Sequence, residues 1–230
     1  MPNYFLNTFW PRSWNNWPSP YPDPPYCDSS IRREPDFEHR YPSISCLCRK
    51  GKFAPRLAKE DEILYMTVLW TFPGDDQPGW HVVASLRVIE TFISHKAAAV
   101  WYRERHLQLP SNCMVVGNGP LPIARSGGGR PLAEWEAEYA ERARVHGTFA
   151  VCEPTRMDLV RPPQILRQEL VGIFGGIPGT QAGKKISKRE FDSLCALLPD
   201  RIVLKGPGSS SAPTRTTRPR RACPPRRRGC

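Results

Sequence analysis

Proline constrains this chain more than any other residue: 26 of its 230 positions are Pro, about twice the usual ~5%. Each one fixes φ and removes a backbone donor. That density rules out a coiled coil or an all-helical bundle, and there is no Gly-X-Y repeat for a collagen. The prolines are unevenly placed. Residues 1–42 hold nine of them together with Trp10, Trp14 and Trp17. The run Pro18-Ser19-Pro20-Tyr21-Pro22-Asp23-Pro24-Pro25-Tyr26 favours polyproline II or irregular backbone. So many aromatic rings do not stay solvated, so residues 1–42 are expected to form an arm packed on a folded body. A PxxP ligand is also present on paper, from Pro22 to Pro25, but a single match of that kind carries little information.

The opposite end is a tail. Residues 206–230 contain seven arginines and no acidic residue, so most of the formal charge of +11 lies there. Ser, Pro, Thr and Arg cannot bury enough surface to offset chain entropy, which predicts disorder. The tail suits salt-sensitive, sequence-independent phosphate contacts, or no specific role. No run approaches the ~18 apolar residues of a membrane span. The first residues lack the basic and apolar regions of a secretory signal, so a cytoplasmic, reducing compartment without disulfides is expected.

Residues 43–205 are long enough for a single core. Ser43–Cys48 and Glu62–Trp70 read as strands, the second ending at Pro73-Gly74-Asp75-Asp76. Trp80–Glu90 should pair with it as a hairpin across a long loop. Ser94 is a candidate N-cap for a helix over Lys96–Arg105. Met114–Val116 looks like a strand, Pro131–Arg144 like a helix opened by its proline, and Thr148–Cys152 like a further strand. Gln164–Val171 reads as a short helix. Ser187 and Glu190 form a capping box for a helix over Lys188–Leu198. Gly172–Gly179 reads as a bend between these two helices. The order of elements predicts an α+β domain with a mixed or mostly antiparallel sheet.

Motifs for chemistry are sparse. Cys46 and Cys48 form a CxC pair rather than the CxxC of zinc ribbons. Cys113 and Cys152 could join them, but buried thiols are the better reading, and no metal or cofactor is expected. His95 and His106 lie eleven residues apart, ~16 Å by helical rise, too far to share an ion. Pro35-Asp36 begins a restriction-nuclease pattern, yet no Asp/Glu-x-Lys follows on the next strands. There is no P-loop, GxGxxG or GxSxG. What remains is basic residues interleaved with aromatics. Arg49, Lys50, Lys52 and Arg56 follow the first strand of this domain, and Tyr65, Trp70, Trp80 and His81 come from the next two. Aromatic faces stack bases and cations hold phosphates. Trp101 and Trp135 are expected to be core.

Ser45-Cys46-Leu47-Cys48-Arg49-Lys50, a basic loop, Ala58–Tyr65, and a strand from Val82 to Glu90 that runs into Thr91-Phe92 and a helix form one recognisable order. It resembles the PUA-like superfamily over residues 43–151, and most of all the bacterial nucleotide modification associated domain proteins, relatives of EVE, ASCH and YTH modules. Two features depart from that pattern. Glu60 stands where such domains place the glycine of a "GD" turn, and the ASCH GxKxxExR motif is absent. The resemblance implies a small β-barrel with helices at its rim, elaborated by C-terminal helices, that binds DNA or RNA and holds a modified base in an aromatic pocket. On that reading Trp70, Trp80 and His81 wall the pocket. Ser45, Cys46 and Asn118 contact the base edge, and Arg49, Lys52 and Arg125 face phosphate. The alternatives are an enzyme acting on nucleic acid or nucleotides, and a protein-interaction adaptor using the Pro/Trp-rich arm.

Overall fold

The computed structural model describes residues 2–11, 24–47, 51–121, 131–179 and 183–204. Eight strands form one curled, half-barrel mixed sheet, accompanied by four helices among the described residues. In chain order the elements are β1 (Tyr4–Phe9), β2 (Ser43–Ser45), β3 (Glu62–Thr67), β4 (Trp80–Phe92), α1 (His95–Glu104) and α2 (Leu132–Val145). They continue with β5 (Phe149–Asp158), β6 (Gln164–Ile165), α3 (Arg167–Phe174), β7 (Lys184–Ile186), α4 (Lys188–Cys195) and β8 (Ile202–Val203). The sheet order is β2-β5-β4-β3-β1-β7, with β6 on the start of β4 and β8 on the end of β5. The arginine tail and the run from Pro18 to Asp23 lie outside the described residues.

The expected arm does more than pack on the body. Its residues 4–9 form β1, which lies inside the sheet, parallel to β3 on one side and antiparallel to β7 on the other. The reason lies in the run Tyr4-Phe5-Leu6-Asn7-Thr8-Phe9. Phe5 and Phe9 project into the main core and Leu6 into a second one, so both faces are covered. The long β4 pairs with β3 and β5, and its register shifts between Ser85 and Leu86 and between Val88 and Glu90. Such irregularities bend a strand and let the sheet curl. The concave core gathers Phe5, Phe9, Tyr26, Phe37, Phe53, Tyr65 and Leu86. On the other face α3 and α4 cover Leu6, Leu64, Met66 and Val82. Helix α1 closes a third cluster through Ala98, Ala99 and Tyr102 against Phe149 and Val151, with Trp101 packed at its edge.

Local signals explain most element ends. The Ser94 hydroxyl accepts from Ala97 N at the start of α1, and Ser187 and Glu190 form the expected reciprocal box on α4. Two expectations change. Met114–Val116 makes no strand; Asn118 N and Leu121 N hold this region as a looped connection through Val115 O and Ile31 O. Gln164–Val171 begins as β6, because Pro162-Pro163 hold the chain extended onto Trp80 and His81, and α3 starts only at Arg167. Gly172 falls within α3, Gly175 (φ 69°) ends it, and Gly176 and Gly179 lead from it toward β7.

The turn before β3 fixes the register of β1. Asp61 is buried, and its carboxylate accepts from Asn3 N at 2.8 Å, Asn3 Nδ2 at 2.9 Å and Ala58 N at 2.9 Å. The residue before it, Glu60, has φ 71°, a left-handed backbone that glycine adopts without strain. Its side chain is exposed and reaches Arg87 only at 3.9 Å, which contributes little. Glu60→Gly should therefore stabilise the protein by about 1 kcal/mol in chemical denaturation. Asp61→Ala, which strands three donors, should cost about 3 kcal/mol in the same measurement.

Candidate functional site

Three of the residues proposed from sequence each line a different cavity of the described surface. Ser45 lines a recess of about 180 Å³ at the end of β1. Asn118 lines an open cleft of about 710 Å³ between the start of α1 and α2. His81 lines a third recess of about 480 Å³ with Tyr26, Asp75 and Arg161. Trp70 is 46% exposed beside Gly79 in the β3–β4 connection, and Trp80 is packed in the core under α3 and α4. Cys46 is fully buried and Lys52 is exposed. Arg49 and Arg125 lie outside the described residues. The described members of the set therefore do not converge on one pocket.

Hydrogen bonding separates the three cavities further. His81 Nδ1 lies 2.9 Å from Pro162 O and Nε2 3.0 Å from Asp75 Oδ2, while the ring packs on Tyr26 and Phe72. Its polar capacity is consumed inside the fold. Asn118 Nδ2 donates to Pro110 O and Cys113 O, and its backbone carbonyl accepts from Arg32. Arg32 in turn is held by Glu136, Ser111 O and Asn118 O. Ser45 N and Oγ both donate to the Glu34 carboxylate, at 2.5 and 2.9 Å.

Cys46 and His95 invite a nucleophile reading, and the geometry argues against it. Met114 N donates to His95 Nδ1 at 3.0 Å, so the ring proton sits on Nε2, which faces Cys46 Sγ at 3.6 Å. The imidazole thus has no lone pair to offer the thiol. Burial pushes the Cys46 thiol up to about 12, and burial with nearby Arg32 pushes His95 down to about 4. Both stay neutral, the reverse of an activated thiolate pair. Cys113 and Cys152 are likewise buried and raised by desolvation.

The recess at the end of β1 differs from the other two. Phe9, Trp10, Phe53 and Tyr65 supply aromatic surface, and Asn7, Asp28, Glu34 and Ser45 supply polar groups. Phe53 is seated by Gly183 (φ 71°), where an added Cβ would lie 2.2 Å from the ring. Trp10 is placed by the chain's exit from β1: Ser29 N donates to Trp10 O at 3.1 Å, and Pro11 bridges to Asp28. Asp28 makes an Asx turn, accepting from Ser30 N at 2.9 Å and Ser30 Oγ at 2.5 Å. Asn7 projects to the same side of β1 as Phe5 and Phe9. Its Oδ1 accepts from Thr8 N, which assigns the amide, and its NH₂ has no partner among the described residues although the residue is only 5% exposed. At ~30 Å³ per water the recess holds about six waters, and it is well below the ~300 Å³ of a drug-sized pocket. Among the described residues no group of three His, Cys, Asp or Glu side chains could hold a metal ion.

Sequence reasoning missed Asn7, Phe9, Trp10 and Asp28 because the prolines cast residues 1–42 as an arm. The available signal was the six-residue run from Tyr4 to Phe9, bounded by Asn3 and Pro11 and written in strand-forming residues. Neither a protein-family model, nor a curated protein, nor a solved structure matches this chain.

Asp28 and His95 oppose each other in acid. Burial raises Asp28 from 3.8 to about 6, so the folded state holds its proton longer and stability falls as pH rises from about 4 to 6. His95, lowered from 6.5 to about 4, makes stability fall as pH drops through that same window. Each effect is about 3 kcal/mol, so they largely cancel. Asp28→Asn removes one of them. Its melting temperature should drop more steeply than that of the unaltered protein between about pH 6.5 and 4.

Proposed function

We propose that the half-barrel is a PUA-like nucleic-acid-binding module whose base pocket is the recess at the end of β1. The observation that carries this reading is Asn7: an amide whose NH₂ has no partner among the described residues, in a ring-sized recess lined by four aromatic residues. An NH₂ that opens into the recess can donate to a planar ligand presenting an acceptor edge. Stacking on Trp10, which is 45% exposed at the mouth, adds affinity without sequence readout. The volume accommodates one ring system, which favours a single base turned out of a stack or strand.

Lys52 supports a phosphate contact at the rim, since it is exposed and directly precedes Phe53 in the pocket wall. Ser45 keeps a place in this pocket, while Trp70, Trp80, His81 and Asn118 leave it for the hairpin loop, the core and the other two cavities. The partner is DNA or RNA, with a modified base as one candidate ligand.

The test is fluorescence anisotropy of the full chain with labelled single- and double-stranded DNA and RNA across a salt series. Trp10→Ala should lower affinity about tenfold, in line with the ~1–3 kcal/mol of one base–aromatic stack. Trp70→Ala, also on an exposed tryptophan, should change affinity less than twofold. Equal affinity of the Trp10→Ala variant and the unaltered protein for every probe would sink the proposal.

A further inference from the structure

We propose that the pocket at the end of β1 selects a positively charged nucleobase, such as a ring-N-methylated adenine or cytosine, over its neutral counterpart. The inference rests on the base-pocket reading above and adds a ligand class to it. Its starting point is Asp28. The residue lines the pocket at 6% exposure and has no ion-pair partner among the described residues. Its hydrogen bonds come from neutral donors: Ser30 N, the Ser30 hydroxyl and Glu34 N. Arg33, whose charge acts on Asp28 from nearby, is engaged with Glu38.

The other charged group at the recess is acidic as well. The Glu34 carboxylate lines it while accepting from Ser45 N and Oγ. No lysine, arginine or histidine is among the described lining residues. A lining with two carboxyl groups and no cation among the described residues repels a phosphate and is indifferent to a neutral heterocycle. It attracts a cation, and so do the faces of Phe9, Trp10, Phe53 and Tyr65, because aromatic rings carry negative charge on their faces. Desolvation strengthens both terms. Burial holds the Asp28 carboxyl up to about 6, outweighing the Ser30 and Glu34 hydrogen bonds and the Arg33 charge that pull it down.

Asn7 narrows the ligand further. Its amide NH₂ is placed to donate to an acceptor, which a simple alkylammonium does not have. A ring-N-methylated base offers both features on one flat ring: a delocalised positive charge, and a remaining ring nitrogen or carbonyl that accepts. The neutral base has the acceptor without the charge.

The experiment is isothermal titration calorimetry of the full chain with adenosine, the neutral N6-methyladenosine and the cationic 1-methyladenosine. The pair cytidine and 3-methylcytidine serves as a repeat. At neutral pH the cationic nucleoside should bind at least tenfold more tightly than either neutral adenosine. Asp28→Asn is close in shape and removes a buried charge; it should bring that ratio below about twofold. A second measurement needs no variant. For the unaltered protein the same ratio should fall several-fold between about pH 7.5 and 5, because the acid form of Asp28 offers no charge while 1-methyladenosine keeps its own. Neutral nucleosides that bind as tightly as the cationic one would overturn the charge preference and leave the base pocket standing. If no nucleoside binds, both readings fail. A trimethyllysine peptide that binds more tightly than every nucleoside would overturn both as well, by assigning the aromatic and acidic walls to a protein ligand.

Discussion

The Asp61 carboxylate sets the geometry on which the sheet depends. With one oxygen on Asn3 and the other on Ala58, it locks the start of β1 against the turn that opens β3. The pairing Tyr4↔Glu62 through Phe9↔Thr67 follows from that anchor. A slip of one residue would exchange the two faces of β1. Leu6 would then leave the cluster under α3 and α4, and Asn7 would leave the concave side. The pocket is thus a product of register as much as of composition.

Much of the α+β architecture could be read from the sequence, because its signals are local. Ser94, Pro131 and the Ser187–Glu190 pair each mark a helix start through their own hydrogen-bonding or dihedral preference. The β3–β4 hairpin is announced by two apolar, β-branched runs around a Pro-Gly turn. The placement of β1 was not legible in the same way. Its partners are β3 and β7, and nothing near Tyr4 records a parallel pairing with residues some sixty positions away. The short strands β6, β7 and β8 have two or three residues each, so they exist through their neighbours rather than through propensity. The same limit governs the site. Trp80 and His81 have the residue types of a binding wall, yet tertiary packing uses one as core and the other as a strut between Asp75 and Pro162.

Saturation is the property that separates a strut from a site in this molecule. Arg32, His81, Asn118 and Ser45 all look functional by type, and each is bonded to carbonyls or carboxylates of its own fold. The bonds of Arg32 and Ser45 tie down the segment from Tyr26 to Leu47, which has almost no regular secondary structure and would otherwise leave polar backbone unpaired. Asn7 is different. It occupies a strand paired with β3 along its whole length and with β7 up to Leu6, so its position is held while its NH₂ remains available. Rigid backing for an available donor is the arrangement a selective pocket requires.

The interior position of β1 also bears on how the chain reaches its native state. Its two sheet neighbours are β3 and β7, and the second pairing, Tyr4 with Ile186, spans nearly the whole described length. During synthesis β1 leaves the ribosome before either neighbour exists, and one of its edges stays open until β7 has been made. Pairings of such sequence separation form slowly, and an apolar strand waiting for them is exposed to association with other chains. For this protein, yield in the cell should therefore depend on translation speed and chaperone supply more than on the stability of the finished fold.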